Sequence, residues 1–325
     1  MLELATMSLS ESVKTRALEL GFDLVGITTA EPIGADDTAY LQRWLNAGYA
    51  AGMEYMHRNI AKRINPAALM EGARSVICTA IAYGPIPDDE QAGLLSSSEY
   101  MGWIADFALY EDYHVFMKNK LRALADSIGE LLNGRRRQCR ICVDSAPLAE
   151  RSLARRAGLG FIGRNHMLTN THLGSQILLG QIVTDIALEP DAPAETACQA
   201  CDKCIGACPT GALSADGDFD SAKCISYLTI EHKGDIDGDL AGRIGNRLFG
   251  CDECTLACPY TQNAPAAQNA ELRFHPEWRP MMLAEILEWP PEQFEECFAD
   301  STVKRLGPER FKRNARICLQ NCRDM

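Results

Sequence analysis

The spacing of the cysteines constrains this chain more than any other feature. Eight of its fourteen cysteines fall in one stretch: Cys198-x2-Cys201-x2-Cys204-x3-Cys208-Pro209, then Cys224 alone, then Cys251-x2-Cys254-x3-Cys258-Pro259. The first run has the spacing of bacterial ferredoxins. Its short steps bring three thiolates round one [4Fe–4S] cubane, while the fourth Cys, before Pro, ligates the other cluster. Two clusters take eight thiolates. The spacing partitions them as Cys198, Cys201, Cys204 and Cys258 on one cluster, and Cys208, Cys224, Cys251 and Cys254 on the other. Four-thiolate zinc sites also use C-x2-C steps. Zinc, however, needs neither the third Cys at x2 nor the Pro after the last one, and here Cys-Pro occurs twice. A chain of this kind is expected to move single electrons.

With 325 residues and 46% hydrophobic content, the chain can bury a sizeable core and is long enough for two or more lobes. No run approaches the length of a membrane span. The N-terminus has neither an apolar h-region nor a twin-Arg pair, so a cytoplasmic location is expected. Cysteines at cluster spacing suit that reducing compartment better than a disulfide framework does. Of the other six (Cys78, Cys139, Cys142, Cys297, Cys318, Cys322), Cys139-x2-Cys142 is a bare C-x2-C step with no further ligands in spacing, and most read as core thiols. The net charge of −12 argues against indiscriminate nucleic-acid binding but leaves room for local basic surfaces.

Ser8-Leu9-Ser10-Glu11 is a capping box opening a helix that Gly21 closes. A short strand follows over 22–28, helix over 40–46, and a buried strand over 73–83 that Gly84-Pro85 ends. Residues 85–99 read as a polar loop. Residues 114–133 carry apolar side chains at helical spacing and stop at Gly134. A strand over 140–144 breaks at Ser145-Ala146-Pro147, a helix spans 148–157, and 176–185 is another buried strand. Helices alternate with apolar strands up to about residue 190, which predicts an α/β (α+β) lobe over 1–190. A ferredoxin-like two-cluster domain over 191–262 and a helical C-terminal segment over 263–325 complete the expected organisation. Gly158-Leu159-Gly160-Phe161-Ile162-Gly163 matches G-x-G-x-x-G but follows a helix, which argues against a dinucleotide site.

Several blocks lie in a telling order. They are Val143-Asp144-Ser145-Ala146-Pro147-Leu148-Ala149-Glu150-Arg151, Arg156 to Asn165, Cys208-Pro209-Thr210-Gly211-Ala212-Leu213, Cys224-Ile225-Ser226-Tyr227-Leu228-Thr229-Ile230-Glu231, and Gly245 to Asp252. This ordered set closely resembles the epoxyqueuosine reductase family, cobalamin-dependent enzymes of the last step of tRNA queuosine synthesis. The likeness covers about residues 8–262 and extends more weakly to about 320. One block departs from the family pattern. An aromatic-Ala-x-Gly-Arg-Asp-Tyr-His stretch reads here Phe107-Ala108-Leu109-Tyr110-Glu111-Asp112-Tyr113-His114, so Tyr110-Glu111 replaces Gly-Arg. Longer members also carry a C-terminal helical-repeat domain.

The resemblance implies a cofactor and a set of site residues. Clusters pass one electron at a time, so a low-valent corrinoid cobalt suits the step at carbon. No histidine stands in an Asp-x-His-x-x-Gly segment; alone this fits equally well with no corrinoid, and with the resemblance it implies cobalamin bound base-off without a His ligand. Asp144 is the implied proton donor; on sequence grounds alone it reads equally well as a cap of the following helix. An apolar strand and a flat macrocycle around it would raise its pKa and keep it protonated. The cofactor contacts implied beside Asp144 are Arg63, Leu168, Ser226, Phe249, Gly250 and Asp252. The tail is a basic island (Lys304, Arg305, Arg310, Lys312, Arg313, Arg316, Arg323), and Arg135-Arg136-Arg137 is another. Such runs are often solvated faces. The resemblance reads Arg310, Lys312 and Arg313 as phosphate contacts to a tRNA stem-loop, whose modified base leaves its stack to reach the cobalt.

The implied partners are tRNA carrying epoxyqueuosine and an external one-electron donor of ferredoxin or flavodoxin type, with no membrane and a monomeric chain. Two rivals stand beside this reading. A reductive dehalogenase shares corrinoid and clusters but usually carries a twin-Arg signal. A non-catalytic ferredoxin-like carrier would leave Asp144 and the whole α/β lobe without a purpose.

Overall fold

A computed structural model describes residues 7–86, 100–267 and 269–324, so the loop read over 85–99 lies almost wholly outside the described residues. The described residues form nine strands: β1 (Leu24–Thr29), β2 (Ser75–Ala82), β3 (Met101–Ile104), β4 (Cys139–Cys142), β5 (Phe161–Ile162), β6 (Leu168–Thr169), β7 (Ile177–Thr184), β8 (Arg247–Phe249) and β9 (Met281–Met282). Ser8 does cap the first helix, Leu9–Glu19: its Oγ accepts the Glu11 N–H, and the Glu11 carboxylate accepts the Ser8 N–H.

The main sheet runs β1-β2-β7-β4, and every pairing in it is antiparallel. Alternation of helix and strand along the chain predicted an α/β lobe, but alternation does not fix strand direction. The lobe is therefore of the α+β kind and has no shared carboxyl edge on which to seat a site. All eight residues of β2 are buried, because both faces of the sheet are covered. Ile77, Ile81, Leu178 and Ile182 face the Tyr113–Leu131 helix side. Val76, Cys78, Ala80 and Val183 face the Glu150–Arg156 helix side. That second helix lies very close. A Cβ on Gly26 of β1 would stand 2.0 Å from the Ala157 carbonyl, so only glycine fits there.

A second sheet ties distant segments together. β3 pairs in parallel with β8, from the cysteine-rich region, and antiparallel with β9, from the C-terminal region. One continuous core reaches from Val13 and Ile77 through Leu248 and Phe249 to Phe294, Phe311 and Cys318. The C-terminal region brings its own aromatic packing, with Phe298 ringed by Trp278, Phe294 and Phe311 at 5.2–5.3 Å between centroids. The final helix, Pro308–Asp324, is fastened by Asn314. That side chain is buried and donates to the Thr229 and Leu248 carbonyls at 2.8 and 3.0 Å.

The Tyr110-Glu111 departure acquires a role in this arrangement. Tyr110 bridges to Phe274 and packs at a tilt against its ring, and its hydroxyl donates to the Tyr83 carbonyl at 2.8 Å. Glu111 bridges to Ser301, and its carboxylate accepts the Arg273 N–H. The two residues therefore clamp the C-terminal region onto the α+β lobe.

Candidate active site and cysteine clusters

Five of the eight cluster cysteines sit on short helices or their caps. Cys204 is in the Lys203–Ala207 helix, Cys254 in the Glu253–Leu256 helix, and Cys224 caps the Ile225–Ile230 helix. Cys258 caps the Pro259–Gln262 helix, so its Pro occupies the first helical position, where no N–H is needed. Electrostatics sorts the thiols into two sets. Burial raises Cys204, and Cys198 and Cys258 raise it further. Burial raises Cys254 well above the ordinary range, and Cys251, Cys224 and Cys208 add to it. Burial likewise lifts Cys251 to about 12, with Cys224 among its neighbours, and lifts Cys224, which faces Cys208. Cys201 lies three residues from both Cys198 and Cys204. Buried thiolates crowded this way repel unless a cation neutralises them, which suits iron. Donors also aim at sulfur. Against burial, the Thr210 hydroxyl and the N–H groups of Leu213, Ala212 and Thr210 bring Cys208 below the ordinary thiol range. Such bonds are characteristic of cluster thiolates. Among the described residues no three or more His, Cys, Asp or Glu side chains form a single-ion site.

Asp144 stands two residues beyond the end of β4 in the left-handed region, at φ +53. Asp tolerates that conformation better than most residues. Its carboxyl does not cap the next helix. The N-cap there is Ala149, with no side-chain bond, and it is Glu150 that accepts the Asp144 N–H at 2.8 Å. The turn leaves the Asp144 side chain 61% exposed, facing His114. His114 Nε2 is 3.4 Å from Asp144 Oδ2, at the long end of hydrogen bonding, and its Nδ1 is 2.7 Å from Asp112 Oδ1. Asp112 also accepts the His114 N–H and so caps the Tyr113–Leu131 helix. The result is a chain of groups, Asp112–His114–Asp144, with Glu150 behind it.

The expectation of a protonated Asp144 is corrected here. The His114 hydrogen bond holds its carboxyl below the usual range. The raised groups are its neighbours. Burial disfavours the charged form of His114, yet its bonds to Asp112 and Asp144 take it to about 9. Burial, reinforced by the Asp144 charge, takes Glu150 to about 8. At neutral pH the protons therefore reside on His114 and Glu150, while Asp144 is ionised. Sequence reading passed over both, although His114 closes the Asp112-Tyr113-His114 triplet and Glu150 lies in the Val-Asp-Ser-Ala-Pro block.

The site adjoins the second cysteine set. Buried Tyr83 feels Asp252, Asp106, Cys254 and Tyr113, and Tyr113 in turn feels Asp144 and Glu150. Arg63 is also at the site, since the Asp144 and Glu150 charges bear on it. Its carbonyl accepts the Ala149 N–H at 3.0 Å, and its buried Nε has no partner among the described residues. An orphaned donor beside an exposed carboxyl suits a polar ligand. Ser226 reaches the Cys251 carbonyl at 3.5 Å, and Asp252 accepts the Asp106 N–H at 2.7 Å. Gly250, at φ +75, donates to Thr229 Oγ1, and a Cβ there would lie 2.5 Å from that of Ala105. Two of the expected cofactor contacts do not fit. Leu168 is 2% exposed and Phe249 0% exposed, each spent on packing, so neither presents a side chain to a ligand.

The tail cations are also redistributed. Arg313 donates to the carbonyls of Leu228, His232 and Gly234 and to Asn314 Oδ1, which uses its whole guanidinium. Arg310 donates to the carbonyls of Leu306, Ile230 and Arg305. Both brace the C-terminal end of the Ile225–Ile230 helix, where unpaired carbonyls attract cations. The expected phosphate contacts at Arg310 and Arg313 are therefore corrected to structural ones. Lys312 makes no hydrogen bond or ion pair among the described residues.

Known proteins resemble this chain along nearly its whole length. Residues 63–145 match the family described as epoxyqueuosine reductase QueG, DUF1730, and residues 197–261 match the 4Fe-4S double cluster binding domain. The epoxyqueuosine reductase of Vibrio cholerae is 36% identical over 96% of this chain and 83% of its own length. That of Xanthomonas campestris is 38% identical, over 95% and 86%. A crystal structure of epoxyqueuosine reductase with an epoxyqueuosine-modified tRNA-Tyr stem loop superposes with a TM-score of 0.88 at 32% identity, covering 97% of this chain and 82% of that one. Among the described residues no helix is long and apolar enough to cross a membrane.

Proposed function

The chain belongs to the epoxyqueuosine reductase family, and we propose that it reduces epoxyqueuosine to queuosine in the tRNA anticodon loop. The observation that carries this reading is the adjacency of the Asp144–His114–Glu150 group to the Cys208, Cys224, Cys251 and Cys254 set, across Tyr83 and Tyr113. The reaction removes the epoxide oxygen as water and leaves an alkene. It breaks both C–O bonds and consumes two electrons and two protons.

The double cluster domain takes electrons singly. In this reading Cys198, Cys201, Cys204 and Cys258 hold the outer [4Fe–4S] cluster, and Cys208, Cys224, Cys251 and Cys254 hold the one beside the site. Such clusters accept one electron at a time, so the external donor is of ferredoxin or flavodoxin type. Arg63, Ser226, Gly250 and Asp252, with Asp144, would hold a cobalamin. Bound there, it supplies a nucleophilic, strongly reducing centre for the epoxide carbon. Both ring nitrogens of His114 face carboxylates, which suits it to holding a proton.

The chain's own residues handle the protons. His114 Nε2 carries a proton facing Asp144 Oδ2, and Asp144 passes it to the epoxide oxygen. Glu150, neutral below about 8, holds the second. Residues 1–190 form the catalytic lobe in this reading, 191–262 the electron-transfer domain, and 263–325 the RNA-facing segment of a cytoplasmic monomer. Titrating the iron- and sulfide-reconstituted protein with cobalamin, followed by its visible spectrum and by turnover, tests the cofactor. One base-off corrinoid per chain and corrinoid-dependent turnover are expected. Turnover without any corrinoid overturns the assignment.

A further inference from the structure

Arg305 is the tail cation tied by an ion pair to the end of the helix that carries Ser226. It lies in the turn Thr302–Leu306, which Ser301 caps by accepting the Val303 N–H at 3.1 Å. Its side chain is 52% exposed, with Nη2 2.7 Å from Glu231 Oε1. Its charge is felt by Asp144, Tyr55 and Tyr113, residues drawn from three separate segments around the site. Arg305 makes no other side-chain hydrogen bond among the described residues, so most of its fork is unspent.

Its placement is built rather than incidental. Glu231 ends the Ile225–Ile230 helix that carries Ser226. Arg310 donates both to the Ile230 carbonyl and to the Arg305 carbonyl, locking that helix end to the Arg305 turn. Arg313 braces the same helix end from Leu228 to Gly234. Two tail arginines are thus consumed in holding a third one out.

A base drawn out of its stack brings its own phosphates to the rim of the pocket that receives it. A chain of net charge −12 repels RNA over most of its surface, so a fixed cation at that rim is where backbone contact is gained. Resting on the reading above, we propose that Arg305 binds the phosphodiester backbone beside the reacting nucleotide, and that Glu231 is the positioning residue that points its guanidinium there. The guanidinium fork suits a phosphodiester in two-point contact. A corrinoid's nucleotide tail carries the same group. The half-exposed position on an outer turn favours RNA.

The test uses the reconstituted holoenzyme and an epoxyqueuosine-bearing stem-loop. Affinity is measured against salt for wild type, Arg305→Ala, Arg305→Lys and Glu231→Gln. Arg305→Ala is expected to weaken binding about tenfold and to flatten the log–log salt slope by about 0.7. Arg305→Lys keeps the slope and loses part of the affinity. Glu231→Gln keeps the slope, because the charge remains, but raises KM more than it lowers kcat. Unchanged affinity and slope in Arg305→Ala, with wild type binding and turning over RNA, overturns the proposal. So does loss of cobalamin uptake with an unchanged RNA slope, which assigns Arg305 to the corrinoid phosphodiester. Failure of the wild type itself to bind or reduce the stem-loop sinks the functional reading instead.

Discussion

Asp144 works through its neighbours. Its own carboxyl is ionised at neutral pH, and in the proposed reaction the protons come from the protonated His114 in front and the neutral Glu150 behind. Asp144→Asn keeps the side-chain shape and the turn but cannot relay a proton. Turnover in that variant is expected to fall about 10²-fold or more, with clusters retained; near-normal turnover would remove Asp144 from the chemistry. The same groups set a pH signature. His114 is raised from 6.5 to about 9, so its contribution to stability is complete below 6.5 and is lost as pH rises through about 9. Glu150 is raised from 4.5 to about 8, so the folded state disfavours its charge and loses stability as pH climbs over that interval. Both effects have one sign. Tm is expected to fall between about pH 6.5 and 9, and Glu150→Gln, which cannot ionise, flattens part of that fall. A Tm that rises over the same window contradicts the assignment. The position of Asp144 was legible in its block. Its protonation state was not, because the residue that decides it, His114, is thirty positions away in sequence.

Elements with local signals were read well, and those fixed by partners were not. The Ser8 capping box, the apolar period of the Tyr113–Leu131 helix and the apolar run of β2 carry their own instructions. Strand direction does not, since it depends on which strands meet. The final helix shows the same limit for charge. Counting cations along Pro308–Asp324 suggests an RNA-facing surface, yet Arg313 spends its guanidinium on main-chain carbonyls of another helix. Arg313→Ala is therefore expected to lower stability by about 1–2 kcal/mol, the cost of leaving part-buried carbonyls unpaired. Its effect on the salt dependence of RNA binding is expected to be small. A full-sized drop in salt slope with unchanged Tm would return Arg313 to the phosphate contacts.

Across the whole molecule, three stretches of chain share one core, joined by the β8-β3-β9 sheet and by the Tyr110-Glu111 clamp. That continuity keeps the cysteine set of Cys208, Cys224, Cys251 and Cys254 against Tyr83 and Tyr113, and through them against Asp144. The two cysteine sets are an expectation from spacing, and the mutual repulsion of the thiols within each supports it. Their proximity to Asp144 was not legible, since it arises from folding segments 64 to 110 residues apart against each other. Cys254→Ala is expected to lose one of two clusters and all turnover, with iron falling from about eight to about four per chain. Stoichiometric zinc in place of iron would contradict the electron-transfer role outright. The central claim is that this site removes an oxygen atom from a tRNA nucleoside. The most direct measurement is the mass of that nucleoside after an epoxyqueuosine stem-loop is incubated with holoenzyme, cobalamin and a one-electron reductant. The account predicts conversion to a product lighter by one oxygen atom, slowed about 10²-fold or more in Asp144→Asn. Recovery of the epoxide unchanged, or its opening to a diol with no loss of oxygen, would contradict it.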